Sequence, residues 1–332
     1  MSENDPSARR ARLLERRSQL SEEQRLLLDQ RLRGASPAAP PAPAAARCLV
    51  EITPTGASSH RPFFCVHPAG GDVLCFFPLA RHLGPDQPFY GFQARGLEDE
   101  SRPFSTLEEM AAHYVSEIRR VQPAGPYRLG GWSFGGLAAF EMARQLAEAG
   151  EQVAFLAVLD TAPGLPAAEA GSPDEPAQED DTPWLLTIAE YVRGLRGADL
   201  KVTAGELAPL APEERLRAFV DRLRAAGVLH ADEDGLSQLR RLLGVFKAAV
   251  RAFRVYRPQP YPGPLSLFRA AGAEFDPGLG DDLGWGRFTP RPVDVHELPG
   301  DHITLMAEPN VAVLARRLRA CLDGEQSREE GA

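Results

Sequence analysis

The sequence predicts a layered α/β fold around a mostly parallel sheet, and three observations predict it. From residue 47 onward, short apolar runs alternate with longer amphipathic ones, the order that repeated strand–helix units require. One run, Val153-Ala154-Phe155-Leu156-Ala157-Val158-Leu159, is apolar at every position, as a strand covered on both faces must be. Between 165 and 257 the alternation stops and only helical patterns occur, so a helical insertion interrupts the α/β unit.

Residues 7–34 are charged and helical in pattern. Ser21-Glu22-Glu23-Gln24 reads as a capping box, Leu26, Leu27, Leu28 and Leu32 form an apolar stripe, and Gly34 is a natural stop. The extension 1–34 has two open readings, a solvated helix pair or a segment that docks a partner. Residues 35–46 are rich in Pro and Ala, favour extended backbone and cannot pack a core, which sets a boundary near residue 46. In the domain 47–323, strands are expected over 48–53, 62–67, 89–92, 127–132, 153–159, 265–269 and 293–298. Helices are expected over 76–83, 107–121, 134–149 and 311–322. The stretch 171–182 is acidic and contains proline, as loops are. Helices over 183–195, 212–225 and 235–256 make the insertion at about 165–257 a lid. The charged tail 324–332 is expected to fray.

Composition narrows the function. The chain has 332 residues and a formal net charge of −9, which argues against a general nucleic-acid binder, whose footprint would be basic. No run of 18 apolar residues exists to cross a bilayer, and the polar N-terminus lacks the apolar core of a secretory signal. Cys48, Cys65, Cys75 and Cys321 are scattered, with no C-x-x-C pair, as in a reduced cytoplasmic protein. There is no P-loop, no G-x-G-x-x-G after a strand and no H-E-x-x-H, so neither cofactor nor metal is expected.

The chemistry centres on Gly131-Trp132-Ser133-Phe134-Gly135. A G-x-S-x-G match alone is only moderately specific, and a glycine-rich turn with a buried serine would also fit it. Its place between a strand and a helix is the setting that a nucleophile elbow requires. A serine hydroxyl needs a base. Of seven histidines, His302 follows the last expected strand in the turn Pro299-Gly300-Asp301, where a hydrolase sheet delivers one. The bland alternative is an exposed loop histidine. His67, at the end of an earlier strand, is the rival, better suited to a structural role. Asp160 ends the buried strand at the carboxyl edge of the sheet, where open α/β sheets place their sites. Asp276, Asp281 and Asp282 are its rivals, in a loop where solvation alone would explain them. The order Ser133, Asp160, His302 is that of α/β-hydrolases. His67-Pro68-Ala69-Gly70-Gly71 follows a strand, and the backbone N–H groups of Ala69 and Phe134 are the expected oxyanion donors, though a plain structural turn would account for the first.

Phe64-Cys65-Val66-His67-Pro68-Ala69-Gly70-Gly71, Pro88-Phe89-Tyr90-Gly91-Phe92-Gln93-Ala94-Arg95-Gly96-Leu97, Gly131-Trp132-Ser133-Phe134-Gly135-Gly136 and Pro299-Gly300-Asp301-His302 together resemble the thioesterase domains that terminate nonribosomal peptide and polyketide synthetases. Asp282-Leu283-Gly284-Trp285-Gly286 is similar to that family as well, and the resemblance covers about residues 48–322. It implies an α/β-hydrolase fold with a helical lid. It also implies transfer of an acyl or peptidyl chain from the phosphopantetheine of a carrier protein to Ser133, then release to water or to an internal hydroxyl or amine. No cofactor is then bound by this chain itself. An acid at Asp160 matches the chain-releasing type. Stand-alone proofreading enzymes usually take the acid from a later strand and more often read G-H-S-M-G, from which Trp132 and Phe134 depart. An editing thioesterase and an acyltransferase with a separate acceptor are the alternatives. Residues 20–28 look like the short helical linkers between synthetase modules, which implies docking through 7–34. Trp184, Tyr191 and Phe246 are candidates for an acyl tunnel, or for ordinary helix packing.

Overall fold

The computed structural model describes residues 47–53, 60–164, 180–229 and 234–330. The helices and linker expected over 1–46, most of the acidic loop 171–182 and His230 lie outside the described residues. Seven strands form one sheet: β1 (Leu49–Thr53), β2 (Phe63–Val66), β3 (Phe89–Phe92), β4 (Tyr127–Trp132), β5 (Val153–Leu159), β6 (Ser266–Ala270) and β7 (Asp294–Leu298). Their order is β1-β3-β2-β4-β5-β6-β7, with β1 antiparallel to β3 and every other pair parallel.

Helix α1 (Phe76–Leu83) carries the chain from β2 outward to β3, whereas α2 (Leu107–Val121) and α3 (Phe134–Glu148) carry it the other way, from β3 to β4 and from β4 to β5. Crossovers of one hand that travel in opposite directions must lie on opposite faces. Accordingly, α2 and α3 bury Tyr114, Ile118, Leu137 and Phe140 in one core, while α1 and α8 (Asn310–Glu330) bury Phe76, Leu79, Leu314 and Leu318 in another. Strand β5 feeds both: Leu156 and Val158 enter the first core, and Phe155, Ala157 and Leu159 the second. This two-sided burial is why the strand is apolar throughout. The direction of travel reverses between β2 and β4, so the carboxyl ends of those neighbours form the crevice where open α/β sheets hold their ligands.

The insertion comprises α4 (Thr182–Arg196), α5 (Ala204–Leu207), α6 (Pro212–Ala225) and α7 (Gly235–Val255). It has a core of its own, with Leu185, Leu200, Leu216, Phe219, Leu239 and Leu243. Helix α5 is a single turn, too short to show a 3.6-residue period. A capping box between Thr203 and Glu206 closes it. The described residues contain no helix long and apolar enough to cross a membrane.

Helix α8 runs on through the expected tail to Glu330, and residues 331–332 lie outside the described residues. Gly324 costs about 1 kcal/mol against alanine in a helix, and local contacts offset it. Arg319 pairs with Asp323 one turn on, the Ser327 hydroxyl donates to the Asp323 carbonyl, and buried Arg128 donates to Gln326 at 2.8 Å.

Candidate active site

Ser133 stands between β4 and α3 with φ 56° and ψ −129°, a conformation costing roughly 1–3 kcal/mol for a residue with a side chain. Its neighbours permit it by lacking side chains. A Cβ on Gly131 would lie 2.0 Å from the Gly135 carbonyl oxygen, and one on Gly135 would lie 2.1 Å from that of Val66. The turn is clamped on both sides: the Ser133 N–H donates to Leu159 O at 3.0 Å, and Ser133 O accepts from the Thr161 hydroxyl at 2.6 Å. Trp285 steadies the same loop by donating its indole N–H to Thr161 O at 2.6 Å.

Asp160 follows β5, with φ 53° and no exposed surface. Its Oδ1 accepts the Ala270 N–H at 2.7 Å, and its Oδ2 lies 2.7 Å from His302 Nδ1. His302 Nε2 lies 2.9 Å from Ser133 Oγ. With the carboxylate accepting from Nδ1–H, Nε2 is left as the acceptor for the serine hydroxyl. The loop after β7 is set by Asp301, whose Oδ1 accepts the N–H groups of Ile303 and Thr304 at 3.0 and 2.9 Å. Those bonds, that from Thr304 first, hold the Asp301 carboxyl below its usual range. Trp132 secures the loop from beneath, donating its indole N–H to His302 O at 3.1 Å.

The rivals are spent elsewhere. Asp276 accepts the Gly278 N–H, Asp282 accepts those of Gly284 and Gly286, and Asp281 faces Arg269. His82 pairs with Glu308, His113 with Glu117, and His296 with Asp294. His67 is wholly buried, bonded to Pro68 O and the Tyr114 hydroxyl, and burial pushes it down to about 4. Phe134 opens α3, where the first N–H groups have no intrahelical acceptor, and Ala69 lies in the loop after β2 across the crevice from it.

A cavity of about 630 Å³ opens between the lid and the ends of the strands. Tyr191 and Phe246 line it, while Trp184 packs edge-to-face on Phe246 at 5.7 Å and is not part of its wall. Sequence reasoning missed one contact. The Tyr191 hydroxyl lies close enough to the Ser133 side chain to feel it electrostatically, and its ring lies 5.8 Å from that of Trp132. Burial pushes this phenol up to about 12, so it stays neutral. No local signal could reveal the pair, because it forms only where α4 is laid across the end of the sheet. The arrangement can activate a hydroxyl nucleophile.

A family model described as thioesterase domain matches residues 61–321. Over 264 residues the chain is 34% identical to chondramide synthase cmdD of Chondromyces crocatus, an alignment covering 79% of this chain and 7% of that protein. Over 211 residues it is 48% identical to a dimodular nonribosomal peptide synthase of Bacillus subtilis strain 168, covering 63% of this chain and 8% of that protein. The chain therefore spans less than a tenth of either synthetase. Among solved structures it resembles a four-domain nonribosomal peptide synthetase bound to AMP and glycine, with TM-score 0.71 and 30% identity over 88% of this chain and 21% of that one. It also resembles the NocB thioesterase domain in covalent complex with a fluorophosphonate nocardicin G analog, with TM-score 0.55 and 25% identity over 82% of this chain and 99% of that one.

Proposed function

This chain belongs to the thioesterase-domain family, and from that premise we propose that it takes an acyl or peptidyl chain from a phosphopantetheinyl carrier protein onto Ser133 and then releases it. The hydrogen-bonded line Ser133–His302–Asp160 is the observation that carries this reading. In the first half-reaction, His302 Nε2 takes the Ser133 proton as Oγ attacks the thioester carbonyl. Asp160 holds the imidazole in the required tautomer and stabilises the imidazolium. The N–H groups of Ala69 and Phe134 receive the oxyanion. The tetrahedral intermediate collapses, the C–S bond breaks, and His302 returns the proton to the departing thiol. In the second half-reaction, His302 deprotonates water, or an internal hydroxyl or amine of the chain, as it attacks the acyl ester; the bond to Ser133 Oγ breaks, His302 returns the proton to that oxygen, and the product is an acid or a macrocycle. The lid chamber selects between them by what it admits.

Intact-protein mass after mixing with acyl and peptidyl pantetheine thioesters tests the assignment. The expected result is a transient adduct on Ser133, absent from Ser133→Ala, followed by free acid or cyclic product. An adduct on any other residue would overturn the assignment. A stable adduct that never turns over would instead indicate transfer to a separate acceptor, and a preference for short acyl groups on many carriers would indicate editing.

A further inference from the structure

His67 ends β2 inside the protein, with no solvent-exposed surface. Its Nδ1 lies 2.7 Å from Pro68 O. A carbonyl oxygen only accepts, so Nδ1 carries the proton and the neutral ring's Nε2 accepts the Tyr114 hydroxyl at 2.8 Å. Both nitrogens are thus committed within the protein, which leaves His67 no part as a base. Burial holds the ring down at about 4, so it is neutral at neutral pH and keeps this tautomer.

The bonded carbonyl belongs to the peptide that precedes Ala69. That peptide is trans, because the cis bonds among the described residues are Gly125-Pro126 and Glu308-Pro309. In a trans peptide the C=O and N–H vectors point in opposite directions. Pro68 O accepts from His67 Nδ1 and also from the Gly71 N–H at 2.9 Å. Two donors on that oxygen fix the peptide plane, and with it the direction of the Ala69 N–H, away from the imidazole. The other side of the same ring stacks on Phe134, with centroids 6.2 Å apart and planes 25° apart. One side chain therefore touches the residues that supply both oxyanion donors.

We propose that His67 is a positioning residue for the oxyanion hole, fixing the Pro68–Ala69 peptide so that the Ala69 N–H faces the oxygen formed at Ser133. The proposal rests on the acyl-transfer reading above. It explains why a polar ring sits beneath this loop at a place where an apolar residue would fill the space without a desolvation cost. A loosened donor weakens the transition state more than the ground state, so kcat falls while KM holds.

The test uses His67→Asn, whose amide nitrogen falls near the place of Nδ1 and donates to Pro68 O, and His67→Gln, whose longer amide reaches toward Tyr114 instead. Each is compared with the wild-type chain for pantetheine-thioester turnover and for affinity toward a peptidyl trifluoromethyl ketone. That ketone adds Ser133 Oγ to its carbonyl and places an oxyanion in the hole. Asn is expected to keep turnover within about threefold, and Gln to lose about 10–100-fold in kcat with KM nearly constant and a matching loss of ketone affinity. Equal activity in the two variants, the reverse order, or a kcat loss with unchanged ketone affinity would each overturn the positioning role. Wild-type protein unable to turn over any thioester would overturn the acyl-transfer reading itself, a result separate from the comparison of variants.

Discussion

The indole nitrogen of Trp132 donates to the main-chain carbonyl of His302 at 3.1 Å, joining the residue before Ser133 to the loop that carries His302. The two rings also lie 5.8 Å apart. Ser133 and His302 come from different strands, β4 and β7, so their 2.9 Å contact needs a tie between those strand ends. Trp132→Phe removes the donor and keeps most of the buried volume. We expect kcat to fall about five- to twentyfold with little change in KM, and stability to fall by about 1–3 kcal/mol from the space vacated. Steady-state kinetics beside urea unfolding check this; a stability loss without a kcat loss would show that the tie is dispensable.

Asp160 and Asp276 separate by their partners. Asp160→Asn keeps an acceptor for the Ala270 N–H but no longer holds a protonated Nδ1, so His302 can present the wrong tautomer to Ser133. A kcat loss on the order of 10³–10⁴ is expected. Asp276→Asn touches only a local turn through Gly278 and should stay within twofold. A larger effect at Asp276 than at Asp160 would place the acid after β6.

Gly194 lies in α4, where a Cβ would come within 2.4 Å of Ile303 Cγ2, the side chain next to His302. In an open helix Gly→Ala stabilises by roughly 0.5–1 kcal/mol. Here the new methyl must push either α4 or the loop after β7 aside. Gly194→Ala should therefore lower kcat several-fold and bring no gain in melting temperature. An alanine variant that is more stable and fully active would mean that α4 does not bear on that loop.

His67 also sets an acid limit on stability. Its folded value, about 4, lies below the ordinary 6.5, and burial is the cause. Its contribution is intact above 6.5, where the ring is neutral in both states, and is lost as pH falls toward 4, because only the unfolded chain takes the proton. The loss is about 3 kcal/mol across that window. Urea unfolding of wild type and His67→Gln at pH 7 and pH 4.5 measures it. The gap between the two proteins should narrow in acid, and a constant gap would rule His67 out as the source.

Much of the fold was legible because its elements announce themselves locally. The β5 run is apolar at each position since both faces of the sheet are covered, and the boundaries of β3, β4 and β5 match their hydrophobic runs. Ser133 was legible because a strand-to-helix turn with positive φ admits so few residues around it that its glycines form a pattern. The single-turn helix α5 and the long end of α8 were not. One is shorter than a helical period, and the other persists through contacts with Arg128 and Asp323 rather than through its own propensity.

Sequence by itself determined the layered architecture, the place of the helical insertion in the chain and the residue types present at each strand end, since these follow from periodicity and from steric demands within a few residues. Tertiary structure alone decided which of those residues meet. Asp160 rather than Asp276 reaches His302, Tyr191 reaches Ser133, and His67 turns inward to Pro68 and Tyr114. Across the sequence separation of 142 between Asp160 and His302 there is no local record of a 2.7 Å contact. It arises from the lateral order of β5, β6 and β7, which is set by packing across the whole domain.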